Sequence, residues 1–197
     1  MKPVTVITGR GVPLQRSDVD TDQIIPSDWL KRVERTGFGA GLFSEWRDDR
    51  NFVLNDERYQ GASILVAGPN FGTGSSREHA VWALMDYGFE AVISSRFADI
   101  FFSNCTKQGL LPVTVDEEVA NQLLAAVAEN PELEITIDVA RGSVEAPAIG
   151  VSATFVLQPF TTERFLNGWD DIGLTLRNEA DLTAFEAKRP GYLPTTA

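Results

Sequence analysis

One cysteine and one histidine are all that this 197-residue chain offers a soft metal. Cys105 alone cannot form an internal disulfide. Together with His79 it falls short of the three or four ligands that a structural zinc or an iron–sulfur cluster requires. Any such group must therefore be held by another polypeptide. Basic residues are scarce too, 17 against 28 acidic, for a formal net charge of −11. A chain with that self-field is a poor general binder of phosphate backbones or anionic lipid, which argues against nucleic acid and membrane partners. Long apolar runs are missing as well. The first fifteen residues carry only "VTVI" before Arg10, far short of a signal-peptide core or of the roughly 20 residues that span a bilayer. A cytoplasmic location is the expectation. Neither a repeat with a period of about 20 to 50 residues nor a low-complexity tract is visible.

What is present is ordinary globular material, 43% hydrophobic and 23% charged. It suffices for one domain over residues 1–197, since a single core commonly serves about 100 to 200 residues. "PVTVITGRGVPL" is rich in β-branched residues and broken by glycines, and reads as one or two strands ending in a turn. "SDVDTDQIIP" follows as an acidic loop closed by Pro26. "WLKRVERT" reads as a short helix, and Gly37, Gly39 and Gly41, spaced every second residue, mark 29–43 as a mobile loop. "GASILVAG" (61–68) has the continuous apolar character of a strand buried on both faces. In the helix after it, Val81, Leu84, Met85 and Gly88 keep helical spacing, and Gly88 suits a C-terminal cap. "EAVISS", "FADIFFSNCTKQG", "LLPVTV" and "DEEVANQLLAAVAENP" then alternate strand and helix, which implies parallel strands with helical crossovers. Residues 133 to 158 change to short alternating strands around Arg141-Gly142, a hairpin or meander. Two helical patches follow, the second from near Asn178, before a loose tail at about 188–197.

The most unusual stretch is "GTGSSREHA" at 72–80. A strand, a glycine loop and a helix in that order bring unpaired helix N–H groups to the carboxyl edge of a sheet, where α/β folds bind ligands and where an anion is favoured. Ser75 and Glu78 fit an S-x-x-E capping box, so a purely structural role is one reading. "GTG" lacks the third glycine of a dinucleotide fingerprint and the lysine of a phosphate loop, so nucleotide binding is not supported. Arg77 favours the other reading: a guanidinium in a first helical turn opposes the dipole, and its planar fork suits a carboxylate. A serine hydroxyl in such a field can serve as nucleophile or base. His79 lies four residues after Ser75 on the same helix and reads as a packing residue rather than a Ser-His-Asp partner. The G-x-S-x-G elbow of hydrolases is absent.

At "GTGSSREHA" the chain resembles the aconitase superfamily, whose swivel domain carries G-S-S-R-E-H-A at a helix start. "DTDQIIP", "WLKR" and "RTGFG", in that order and over roughly residues 1 to 170, look most like the small-subunit family of bacterial 3-isopropylmalate dehydratases. The resemblance implies an α/β fold of the swivelling β/β/α type, partly parallel, with flanking helices and an additional meander. It also implies isomerisation of 2-isopropylmalate to 3-isopropylmalate through isopropylmaleate in leucine biosynthesis. The [4Fe-4S] cluster, whose open iron acts as a Lewis acid, would be held by a large subunit, so that the chain works only as half of a heterodimer. Carried over by residue, Ser75 matches the catalytic base. Ser76 and Arg77 match residues that bind substrate carboxylate, and Thr21 and Asp22 match a pair lining the same pocket. Lys31 and Arg32 fall in the segment that reads the variable substituent and a distal carboxylate, with Arg35 as an alternative. Cys105 remains a buried thiol of an apolar helix. Turn chemistry remains a second account of Thr21 and Asp22, and solvated loop charge a second account of the basic residues. A non-catalytic module binding a carboxylate or phosphate, or a sister isomerase acting on homocitrate or citraconate, remains the alternative function.

Overall fold

The computed structural model describes residues 1–31, 36–190 and 192. Its first strand, β1 (Val6–Leu14), is one uninterrupted element through Gly9, Gly11 and Pro13. The expected break is absent because these glycines serve close approach, not a turn. A Cβ on Gly9 would lie 2.1 Å from Ser63 Oγ, and one on Gly11 would lie 2.9 Å from Val127 Cγ2. The acidic loop after β1 contains a single helical turn, α1 (Thr21–Ile24), capped by Asp20. The Asp20 carboxylate accepts from the Gln23 N–H, while Gln23 Oε1 accepts from the Asp20 N–H.

Strand and helix then alternate as expected: β2 (Ile64–Ala67), α2 (Glu78–Tyr87), β3 (Ala91–Ser94), α3 (Asp99–Gln108), β4 (Leu111–Thr114) and α4 (Glu117–Glu129). Gly88 and Gly109 end α2 and α3 in left-handed backbone, a conformation that costs glycine little. β1 to β4 pair in parallel. The meander follows as β5 (Glu134–Asp138), β6 (Ser143–Ala146) and β7 (Val151–Thr154), all antiparallel, with β5 on the free side of β1. One seven-stranded sheet results, in the order β4-β3-β2-β1-β5-β6-β7. β2 and β3 are buried at every position, as their apolar runs require, because helices cover both faces of the parallel half.

α5 (Pro159–Asn167), α6 (Asp171–Leu176) and α7 (Glu179–Glu186) complete the chain. α5 is tied to the residues that precede β1, with the Val4 N–H donating to Phe165 O at 2.8 Å. α6 and α7 bury no residue. Asn178 is the N-cap residue of α7, where the sequence placed its start. No helix of the described residues is long and apolar enough to cross a membrane.

The segment 29–43 departs from expectation. Ser27–Lys31 forms a 3-10 turn, and a second one, Phe38–Gly41, lies in the core with Phe38 fully buried. Residues 38–43 are therefore packed rather than mobile. Arg32 and Arg35 lie outside the described residues, as does most of the tail at 188–197.

Candidate functional site

β1 and β2 lie side by side and parallel, so the loops that leave their carboxyl ends emerge together, the position at which α/β sheets gather ligand-binding residues. Hydrogen bonds join the two loops. Val19 O accepts from the N–H groups of Gly72 (2.7 Å) and Thr73 (3.1 Å), and the Thr21 N–H donates to Thr73 O (2.9 Å). Asn70 Nδ2 donates to Asp18 Oδ1 at 2.6 Å, a bond that holds the Asp18 carboxyl below its ordinary range. Gly72 is glycine of necessity: its φ is +82°, and a Cβ would lie 2.2 Å from Phe101 Cγ.

This pairing changes the expected helix start. Ser75 does not cap α2, which begins at Glu78 with Arg77 as its N-cap residue and no side-chain capping bond. Residues 73–77 are drawn alongside 18–21 instead, through the Asp20–Thr73 bridge and the Thr21 hydroxyl, which donates to Ser75 O at 2.9 Å. The capping-box reading is thus corrected, because pairing with the neighbouring loop outcompetes a further helical turn. Arg77, with φ −121° and ψ 108°, is extended and stands at the mouth of α2, not inside its first turn.

The predicted residues then separate into two groups. Thr21, Asp22, Ser75, Ser76 and Arg77 come together. Thr21 is 2% exposed and its hydroxyl is used up in holding the Ser75 carbonyl, so it positions the loop rather than facing solvent. Arg77 donates from Nη1 to Asp22 Oδ1 at 2.5 Å, with the guanidinium side chain 18% exposed. Ser75 and Ser76 are exposed, and among the described residues their hydroxyls have no hydrogen-bond partner. Lys31 stands apart. It is paired with Asp28 at 2.9 Å and both side chains are largely in solvent, an arrangement that solvent screening leaves weak.

His79 supplies no base for Ser75. Its ring packs against Phe38 (5.3 Å between centroids) and Trp82 (4.6 Å), and burial lowers its pKa. The packing role expected from its spacing is the one observed. Cys105 is fully buried in α3, and desolvation pushes its thiol well above the ordinary range, which removes it as a metal ligand. Among the described residues no three His, Cys, Asp or Glu side chains converge to hold a metal ion.

Sequence reading missed the anchors behind the site. Asp86 accepts from the Gly39 N–H at 2.9 Å, and a Cβ on Gly39 would lie 2.8 Å from Tyr87 N. The glycine spacing at 37, 39 and 41 carried the signal, but Gly39 marks close approach to α2 and Gly41 close approach to Trp29; the buried Phe38 between Gly37 and Gly39 was the clue.

Comparison with known proteins agrees with this geometry. Residues 1–118 match the aconitase C-terminal domain, and residues 171–195 match the C-terminal domain of the 3-isopropylmalate dehydratase small subunit, so the likeness extends past residue 170. The 3-isopropylmalate dehydratase small subunit of Parafrankia sp. is 64% identical over 198 residues, covering 100% of both chains. That of Rubrobacter xylanophilus is 57% identical over 194 residues, covering 98% of each. A crystal structure of 3-isopropylmalate dehydratase from Methanocaldococcus jannaschii superposes with a TM-score of 0.68 at 25% identity, covering 91% of this chain and 99% of that one. Sheet order, paired loops and full-length identity lead to one assignment: this chain belongs to the family of 3-isopropylmalate dehydratase small subunits.

Proposed function

We propose that the chain is the small subunit of a hydro-lyase that interconverts 2-isopropylmalate and 3-isopropylmalate through isopropylmaleate, acting in the cytoplasm in leucine biosynthesis and only when joined to a large subunit. The observation that carries this reading is the pairing of Arg77 and Asp22 beside two exposed serine hydroxyls, at the carboxyl edge of β1 and β2. The substrate is a dicarboxylate, and a chain with a net charge of −11 attracts one only through a local cation and directed N–H groups. Arg77 is that cation. Its fork holds one carboxylate, while Asp22 keeps the guanidinium aimed before substrate arrives. Ser76 Oγ, with no partner of its own among the described residues, adds a hydrogen bond to the same carboxylate. Ser75 Oγ, as the alkoxide, takes the proton from carbon and becomes the neutral hydroxyl, while the C–H electron pair forms the double bond of isopropylmaleate and the hydroxyl on the adjacent carbon leaves. Before that transfer the alkoxide charge is stabilised by the Arg77 guanidinium and by the N–H groups at the start of α2. Thr21 keeps the Ser75 backbone in place throughout. Lys31 and Arg32 meet the distal carboxylate and the variable substituent. A [4Fe-4S] cluster belongs to the large subunit, which closes the site from the other side.

Reconstitution with a cluster-bearing large subunit tests the reading. The mixture should turn over 2-isopropylmalate, and Ser75→Ala should abolish turnover while subunit association is retained. Full activity of that variant would reject the role given to Ser75. A loss of ligand affinity alone would favour a non-catalytic binding module.

A further inference from the structure

Residues 29 to 44 leave and rejoin the body of the protein through a narrow neck. Trp29 donates from its indole Nε1 to Ser44 Oγ at 3.2 Å. Its ring covers Gly41 so closely that a Cβ there would lie 2.4 Å from Trp29 Cδ2 and 2.6 Å from Ile25 Cδ1. Phe43, fully buried, holds a left-handed backbone with φ +50° while its N–H donates to Ile24 O at 2.9 Å. Such a conformation in an aromatic residue costs on the order of 1 kcal/mol or more and persists only where surrounding packing enforces it.

The returning end of this loop is fastened to α2. The Phe38 ring meets His79 edge to face at 5.3 Å and lies 5.8 Å from Trp82, while His79 and Trp82 are 4.6 Å apart. One turn further along, Asp86 holds the Gly39 N–H. Arg47 adds a third link: its Nε donates to Leu42 O at 3.0 Å and its guanidinium lies 4.9 Å over the Tyr87 ring. Arg77, two residues before His79, is the N-cap residue of α2.

We propose that His79 is a positioning residue: its ring, packed against Phe38 and Trp82, locks the neck of the 29–44 loop to α2, whose N-cap residue is Arg77, and so fixes the distance between the carboxylate-holding guanidinium and the substituent-reading loop. The proposal rests on the reading that Arg77 and this loop grip the two ends of one substrate. Shape is what the position requires. The ring packs against two aromatic side chains, burial lowers its pKa, and among the described residues its nitrogens make no hydrogen bond to Ser75. A loop whose neck is locked pays its ordering cost on folding rather than on binding, so loosening it weakens ground-state and transition-state binding alike.

The test uses the reconstituted two-subunit enzyme with 2-isopropylmalate and with 2-methylmalate, which lacks the branched substituent. His79→Ala should raise KM for 2-isopropylmalate about tenfold with kcat within about twofold, the signature of lost uniform binding. Its preference over 2-methylmalate should fall by a similar factor. His79→Phe should restore both, because an aromatic wedge survives, and His79→Asn should not. Asp86→Ala, at an exposed side chain, loosens the same neck without touching the wedge and should raise KM about threefold. Loss of kcat in His79→Phe would overturn the proposal by showing that the imidazole proton matters. Unchanged KM and preference in His79→Ala and Asp86→Ala would overturn it by showing that the neck is not coupled to substrate. Ser75→Ala, run beside them, separates the two levels: if it retains turnover, the underlying reading fails, whereas its inactivity alongside unaffected His79 variants sinks the positioning role alone.

Discussion

The carboxyl edge of β1 and β2 and the C-terminal helices both present side chains to solvent, in opposite ways. At the sheet edge the backbone is fixed by hydrogen bonds between two loops, and polar side chains are left over: Ser75, Ser76 and the accessible rim of Arg77. At the other end of β1, where α5 is tied to Val4, the chain runs on into α6 and α7, which bury nothing and expose Ile172, Leu176 and Phe185. The first region is held by the fold and leaves polar side chains exposed. The second is helical by local sequence, and its apolar side chains lack cover from the core. Precision of position therefore belongs to the sheet edge, and tolerance of change to the arm.

Substitutions can break that contrast, and the largest effect is expected from Ser75→Ala. In the two-subunit enzyme kcat should fall by about 10³ or more, within the range of positioned general bases, while the melting temperature of the isolated chain stays unchanged because the hydroxyl holds nothing. Arg77→Lys should cost about 10- to 100-fold in kcat/KM, since a point charge cannot hold a carboxylate by two parallel bonds; near-normal kinetics would break the link between the Asp22 pair and substrate. Thr21→Val should differ from Ser75→Ala in costing stability as well as turnover. Its buried hydroxyl holds the Ser75 carbonyl, so the chain should lose about 1 to 2 kcal/mol in denaturant unfolding, and turnover should fall because the loop drifts.

Acid sharpens the comparison further. His79, with Arg77 and Glu78 beside it on α2 and Asp86 one turn beyond its contacts, has a folded pKa lowered first by desolvation from the reference 6.5. The unfolded chain then binds the proton more readily, so stability is complete above that reference value and declines as pH falls from it toward the folded pKa. Unfolding of the wild type from pH 7.5 to 5.5 should show a component of loss that His79→Phe lacks; identical pH profiles would contradict it. The smallest effect belongs to the arm. Phe185→Ser at a 71% exposed side chain should shift the stability of the isolated chain by no more than about 0.5 kcal/mol.

Much of this architecture was readable in advance. The apolar runs at Gly61–Gly68 and Glu90–Ser95, bounded by glycine or helix signals, could satisfy their backbone and bury both faces only as inner parallel strands, and β2 and β3 are that. The grouping of Thr21 and Asp22 with Ser75, Ser76 and Arg77 was legible through family resemblance rather than through spacing, because residues 50 or more positions apart leave no periodic trace in a sequence. Where reading failed, it failed at local rules overridden from a distance. Ser75 and Glu78 satisfy a capping pattern, yet Thr21, far away in the chain, takes the Ser75 carbonyl, and Val19 takes the N–H groups of Gly72 and Thr73 just before it. Gly39 and Gly41 have the composition of a mobile loop, yet they are small because Tyr87 and Trp29 approach them.

The sequence by itself determined the order of strands and helices, the absence of metal ligands sufficient for a cluster, the packing character of His79 and the presence of one guanidinium beside paired serines. Those are consequences of composition and of short-range periodicity, which each segment carries alone. Tertiary structure decided where α2 begins, which hydroxyls face outward and which is spent on a carbonyl, and how the 29–44 loop is tied to the helix bearing Arg77. Each of those choices is a competition for hydrogen bonds and space between segments remote in the chain, and only the folded sheet brings the competitors within reach.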